Sequence, residues 1–198
     1  YKKLKTEYYE KSPSARELLD PPIRDLQLDT LVGVLDGSIL VQNHCYRADE
    51  MAMMIEMSHE FNYQITAFHH AVEAYKIADL LADEGICGAL WADWWGFKHE
   101  AYDMVPANIA IVDQARGGTG CAIVHSDDEV GIQHLNQEAA KALIAGIRAG
   151  YDISKARAMR WITSNPAIAA GIFDQTGSIE VGKDCLLYTS PSPRDTIR

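Results

Sequence analysis

The residue types best suited to chemistry in this chain are His44, His70 and Asp127. Each ends a short apolar run that reads as a β-strand, or follows it within two residues. The runs are 38–44 (SILVQNH), 63–69 (YQITAFH) and 121–125 (CAIVH). Imidazole and carboxylate together suit zinc, iron or manganese. A divalent metal held with an open position acidifies bound water and polarises a carbonyl. A carboxylate beside that water can bind the metal and accept a proton. The three residues therefore predict metal-assisted hydrolysis of a small-molecule substrate. Taken singly, His44 is as compatible with a core histidine as with a ligand.

Other residues stand near enough in sequence to serve the same site. Tyr46 and Arg47 follow His44 and could bind a substrate carboxylate, for which a planar guanidinium is suited. They equally fit the exposed start of a helix. A long loop after the third strand carries Trp94, Trp95, Lys98 and His99. Its indoles could wall a substrate pocket or pack beneath the loop. Tyr46, Arg47, Trp95 and Lys98 are the substrate-binding candidates. Asp128 reads as a loop carboxylate and His125 as a structural strand-end residue. His59 and His134 fall on helix surfaces or ends.

These residues need elements to position them. Pro21-Pro22 breaks a polar, weakly helical opening. Ile23, Leu26, Leu28, Leu31, Val32 and Leu35 then approach helical spacing, and Gly37 stops the run. Four strand–helix units follow. The first helix carries Met51, Met54, Ile55 and Ser58 on one face, read as core. The second carries Ala74, Ile77, Ala78, Leu81 and Ala82, closed by Gly85. A third strand, 86–91, precedes a helix opened by Pro106. The fourth strand leads to the helix in LNQEAAKALIAGIRAG, then a helix near 154–163, the segment NPAIAAGI and a short strand in GSIEVG.

Strands alternating with helices predict a parallel α/β architecture. Polar residues gather at the strand C-terminal ends, the face that carries the site in a (β/α) barrel. A doubly wound sheet also binds ligands at that face, but no Gly-rich phosphate fingerprint follows a strand here. Arg116-Gly117-Gly118-Thr119-Gly120 precedes a strand and reads as a turn.

Bulk properties exclude some partners. The 198 residues are 47% hydrophobic and 23% charged, ordinary for a domain with a real core. The formal charge of -10 argues against nucleic acid, which needs clustered Lys and Arg. No apolar run reaches the roughly 18–20 residues of a membrane helix. Cys45, Cys87, Cys121 and Cys185 form no C-x-x-C pair and read as small buried hydrophobes. They leave the compartment undecided.

Four segments carry a family resemblance: VQNHCYRADEM, HHAVEAYKIADLLADEGI, VHSDDE and WITSNPAIAAGIFDQTGSIEVGKD. Over about residues 20–184 the chain resembles the amidohydrolase superfamily, particularly its imidazolonepropionase-related branch. The resemblance implies strands five to eight of a TIM-type (β/α)8 barrel, with a remnant of the C-terminal β-sandwich. It implies barrel over 1–172 and the start of the sandwich over 173–184. Residues 185–198, CLLYTSPSPRDTIR, resemble translated sequencing adapter and are set aside. His44 matches the fifth-strand ligand. The Glu-Ala-Tyr register aligns His70 with the sixth-strand His, so that His69 should face another way by strand alternation. Asp127 matches the eighth-strand ligand and general base.

The resemblance further implies hydrolysis of a non-peptide carbon–nitrogen bond in a cyclic amide or related compound. One or two divalent ions are implied, zinc foremost, with iron or manganese as alternatives. The family's first-strand His-x-His and fourth-strand Lys or Glu do not appear before His44. The chain is therefore expected to be a fragment, inactive alone, of a parent whose oligomeric state stays open. The alternative is a catalytically silent barrel kept as a binding or oligomerising scaffold.

Overall fold

A computed structural model describes residues 1–94 and 96–184 of the protein. Trp95 and the suspected adapter tail, 185–198, lie outside the described residues.

Four parallel strands form one sheet in the order β1-β2-β3-β4. They are β1 (Val41–Cys45), β2 (Ile65–His70), β3 (Cys87–Leu90) and β4 (Cys121–Val124). Three short helices precede the sheet: α1 (Lys2–Tyr9), α2 (Pro13–Arg16) and α3 (Leu26–Leu35). Helix α4 (Ala48–Phe61) joins β1 to β2. A 3-10 turn (Ala74–Ile77) and α5 (Ala78–Asp83) join β2 to β3, and α6 (Asn108–Gly118) joins β3 to β4. Helices α7 (Leu135–Arg148), α8 (Lys155–Arg160) and α9 (Ser164–Ala169) follow. Neighbouring strands are consecutive in the chain, so every crossover advances the sheet the same way, as in part of a TIM-type barrel.

Sequence pattern accounts for these elements locally. In α4, Met51, Ile55 and Ser58 are buried, at the i, i+4, i+7 spacing of one helix face. Asn62 closes that helix in a left-handed conformation (φ 53°). The predicted second helix divides, its first turn tightening to 3-10 geometry before α5 begins. The turn read in RGGTG is present: Arg116 and Gly117 have φ of 51° and 73°. Gly120 brings β4 tight against α6, where a β-carbon would stand 1.8 Å from the Val112 carbonyl oxygen.

One sheet face packs against helices. Phe68, Leu90, Ala122 and Val124 meet Met51, Ile55, Leu81, Ile109, Val112 and Trp161 there. The opposite face carries the smaller set Ala67, Cys87, Ala89 and Ile123, with Ala169 of α9 against it.

Three expectations are corrected. Helix α3 forms, capped by the Asp25 carboxylate accepting from Gln27 N and Leu28 N, but buries none of its residues. Val32 and Val34 are only partly covered, and Leu26, Leu28, Leu31 and Leu35 remain exposed. Cys87 and Cys121 are not separate thiols but a disulfide. They are register partners on adjacent strands, which brings their Cα atoms to 4.5 Å, within bridging range. The short strand expected in GSIEVG is absent: 177–184 run through turns and bends, with Asp184 N donating to Gln175 O. A lone extended segment leaves its backbone groups without a ladder partner. Among the described residues, no helix is long and apolar enough to cross a membrane.

Candidate functional site

The strand C-terminal ends gather a cluster of imidazoles. His44 and His69 are register partners on β1 and β2, and their rings stack at 5.3 Å and 13°. The next residue, His70, would point to the opposite face of a regular strand. Instead it adopts φ 68°, followed by Ala71 at 35°. Its ring then lies among His44, Tyr46, Trp91 and His125. His44 Nδ1 faces His70 Nε2 at 2.7 Å. Asp127, also left-handed at φ 55°, sets its Oδ2 3.9 Å from His70 Nδ1, beyond hydrogen-bond range.

Left-handed backbone at non-glycine residues needs outside support. Asn108 supplies it behind His70. This buried side chain donates from Nδ2 to the Ala71 and Val72 carbonyls (3.2 and 3.0 Å) and accepts at Oδ1 from Tyr75 N (2.9 Å). From the β1 side, Ala71 N donates to Cys45 O and Glu73 N to Tyr46 O. The Glu73 carboxylate accepts from Ala48 N at the start of α4.

Burial favours the neutral form of His69, His70 and His125. Burial pushes His70 down to about 4, against the opposing pull of Asp127. Burial, then the neighbouring histidines, pushes His125 down to about 3. His69 is lowered too, first by burial and then by His44. These three rings therefore present lone pairs near neutral pH. His70 Nδ1 and His125 Nε2 are buried without a hydrogen-bond partner.

An aromatic wall flanks the histidines. Trp91 donates its indole N–H to Ser126 O (3.0 Å) and stacks on His125 at 5.3 Å. Trp94 and Phe97 pack on Trp91. Tyr46 stacks on His70 at 4.9 Å, and Lys98 Nζ lies 3.9 Å from the Tyr46 ring centroid.

Thus His44, His70 and Asp127 are brought to one corner, with Tyr46 and Lys98 beside them. Arg47 turns away into a paired contact with Asp49 (3.0 and 2.9 Å), at the start of α4. Trp95 is outside the described residues. Among the described residues, no three or more His, Cys, Asp or Glu side chains are arranged to hold a metal ion. Asp127 approaches the far nitrogen of His70 from the one that meets His44.

The expectation that His69 faces away is corrected, because register puts it on the His44 face and the backbone twist brings His70 back to both. Asn108 and Trp91 were missed. Trp91 ended a predicted strand and could have been found by the strand-end rule. Nothing local marks Asn108. A cavity of about 520 Å³ lies elsewhere, lined by Tyr75, Ile111, Gln114 and Tyr151, and includes none of the clustered histidines.

Comparison with known proteins bears on what this corner is. Residues 126–187 match the amidohydrolase family. An amidohydrolase named tasK, from Hapsidospora irregularis, is 30% identical over 165 residues, covering 81% of this chain and 16% of its own length. The crystal structure of an amidohydrolase from Thermotoga maritima MSB8 superposes with a TM-score of 0.71 at 27% identity. That match covers 92% of this chain and 46% of the other. The chain thus spans less than half the length of either relative. Together the likenesses relate this chain to amidohydrolases.

Proposed function

We propose that this chain carries part of the active site of a metal-dependent amidohydrolase of the imidazolonepropionase-related branch. Its reaction is hydrolysis of a non-peptide carbon–nitrogen bond in a cyclic amide or related small molecule. The observation that carries the reading is His44 Nδ1 facing His70 Nε2 at 2.7 Å, with the Asp127 carboxylate alongside.

The donor set can be tested against a metal on its own chemistry. Two facing imidazole nitrogens need a proton or a cation between them, and burial makes His70 resist protonation. A divalent ion, zinc foremost and iron or manganese next, suits that pair. His44 Nδ1 and His70 Nε2 would supply two donors, and the exposed Asp127 carboxylate lies across the His70 ring, on its Nδ1 side. When bound, the metal supplies Lewis acidity to water and to the scissile carbonyl.

The chain's own residues supply the rest. The Asp127 carboxylate takes the proton from water and returns it to the leaving nitrogen. His70 holds the metal or, in the alternative, polarises the scissile carbonyl. The Tyr46, Trp91 and Phe97 rings exclude water from one side, and the Lys98 ammonium offers charge to an anionic substituent.

The test is made on the full-length protein with its metal. Asp127→Asn should lower kcat by about 100- to 10,000-fold, the range for a lost general base, while the metal content is retained. Unchanged turnover would remove Asp127 from the chemistry. Failure of the wild type to hydrolyse any member of a panel of cyclic amides and imides would overturn the reading itself.

A further inference from the structure

We propose that Gln42 and His69 are positioning residues that hold the His44 ring, through a relay anchored on the last turn of α9. This deepens the metal-site reading and rests on it for only one of its two measurements.

The relay begins at Ala169, the last residue of α9, whose carbonyl lies beyond the helix's own hydrogen bonding. Gln42 of β1, 127 positions earlier, donates to it from Nε2 at 3.1 Å. That bond orients the amide: the flipped form would set Gln42 Oε1 against another carbonyl oxygen. Gln42 Oε1 is therefore left to accept, and His69 Nε2 lies 2.7 Å from it. His69 must then carry its proton on Nε2, in a single neutral tautomer. The ring so held lies parallel to His44, at 5.3 Å and 13°, in an offset stack. His44 in turn presents Nδ1 to His70 Nε2.

The sheet face that carries Ala67 and Ala89 is open at Gln42 and His44, so burial alone does not fix the His44 ring. Backbone register sets only the Cα pairing of His44 with His69. The two hydrogen bonds of Gln42 convert that pairing into a defined ring plane. A helix from the end of the chain thereby reaches a residue of the first strand.

The first measurement needs no metal. Long-range 1H–15N correlation on the imidazoles of the 198-residue chain should show His69 in the Nε2–H tautomer. Gln42→Leu should give a tautomer mixture, and Gln42→Glu, which keeps an acceptor for His69, should restore Nε2–H. The second measurement is cobalt(II) or zinc titration. Gln42→Leu and His69→Ala should weaken binding about 10- to 100-fold, the usual effect of losing a residue that orients a ligand. His69→Phe, which keeps an aromatic ring but cannot donate to Gln42, should weaken binding to about the same extent as Gln42→Leu.

A wild-type His69 protonated on Nδ1 overturns the relay, without any variant having to fold. So does a Gln42→Leu protein with unaltered tautomer and unaltered affinity. A His69→Phe protein with wild-type affinity, or one that loses far more than Gln42→Leu and so marks His69 as a ligand, also overturns it. If the wild type binds neither ion, the metal reading fails, while the tautomer measurement still decides the relay.

Discussion

His70 combines a left-handed backbone (φ 68°) with a side chain 4% exposed, and both features raise its energy unless neighbours offset them. Asn108 is the chief support, because its three hydrogen bonds span the residues just after His70. Asn108→Ala would leave the Val72 carbonyl and the Tyr75 N–H without that partner, while the Ala71 carbonyl keeps its bond from Ala74 N. A buried polar group left unsatisfied costs about 1–3 kcal/mol. The variant should lose at least about 2 kcal/mol in urea unfolding. It should also broaden the His70 imidazole resonances, which an equally destabilised variant far from the site would leave sharp. Arg47 teaches the converse. Its position after His44 suited a substrate carboxylate, yet Asp49 two residues on engages its guanidinium. A pairing that near in sequence needs no tertiary structure and was readable beforehand.

At the scale of elements, the strand ends are held from behind by contacts distant in sequence. Asp113 of α6 is buried, accepts from Arg157 Nε of α8 at 2.5 Å and from the Trp161 indole at 2.8 Å. Arg157 also donates to the carbonyls of Asp113 and Gly118. Removing one partner of a buried pair strands the other, so Asp113→Ala should cost about 3–5 kcal/mol in denaturant unfolding. Gly120→Ala meets the Val112 carbonyl and should lower stability by about 1–3 kcal/mol or more, read as a lowered Tm. The Cys87–Cys121 bridge closes a span of 34 residues between β3 and β4. A loop of that size corresponds to about 3–4 kcal/mol of unfolded-state entropy. Reduction should therefore lower the unfolding midpoint, and mass spectrometry after alkylation without reductant should leave both cysteines unlabelled.

At the scale of the whole molecule, charge sets behaviour more than any one contact does. A formal charge of -10 keeps copies apart near neutral pH and repels polyanions. Solubility should pass through a minimum close to the isoelectric point of about 5.1, measurable by turbidity against pH. A second transition lies lower. Asp29 of α3 accepts from Lys5 Nζ (2.6 Å) and the Tyr1 hydroxyl (2.8 Å), and these bonds hold its carboxyl at about 2, below its ordinary 3.8. The unfolded state then takes up this proton first as pH falls. The α1–α3 tie is complete above about pH 4 and lost as pH drops through about 2, and Asp29→Asn should abolish that dependence in an NMR titration.

What the sequence determined by itself was the four strands of the sheet (though not the absence of a fifth in GSIEVG), their parallel sense and the face on which polar residues collect. Those follow from apolar runs of strand length separated by helical periodicity, which are local properties. Strand-end polarity made His44, His70 and Asp127 candidates, the family resemblance chose His70 over His69, and the structure brings the three to one corner. Tertiary structure alone decided which imidazoles touch. Alternation would separate His70 from His69, and only the positive φ, stabilised by Asn108 from another helix, brings both rings to His44. It also decided the Cys87–Cys121 bridge, which depends on register between strands 34 residues apart. The reason is the same in each case: side-chain pattern selects an element, but contact between elements depends on register, backbone twist and partners that the local sequence does not contain.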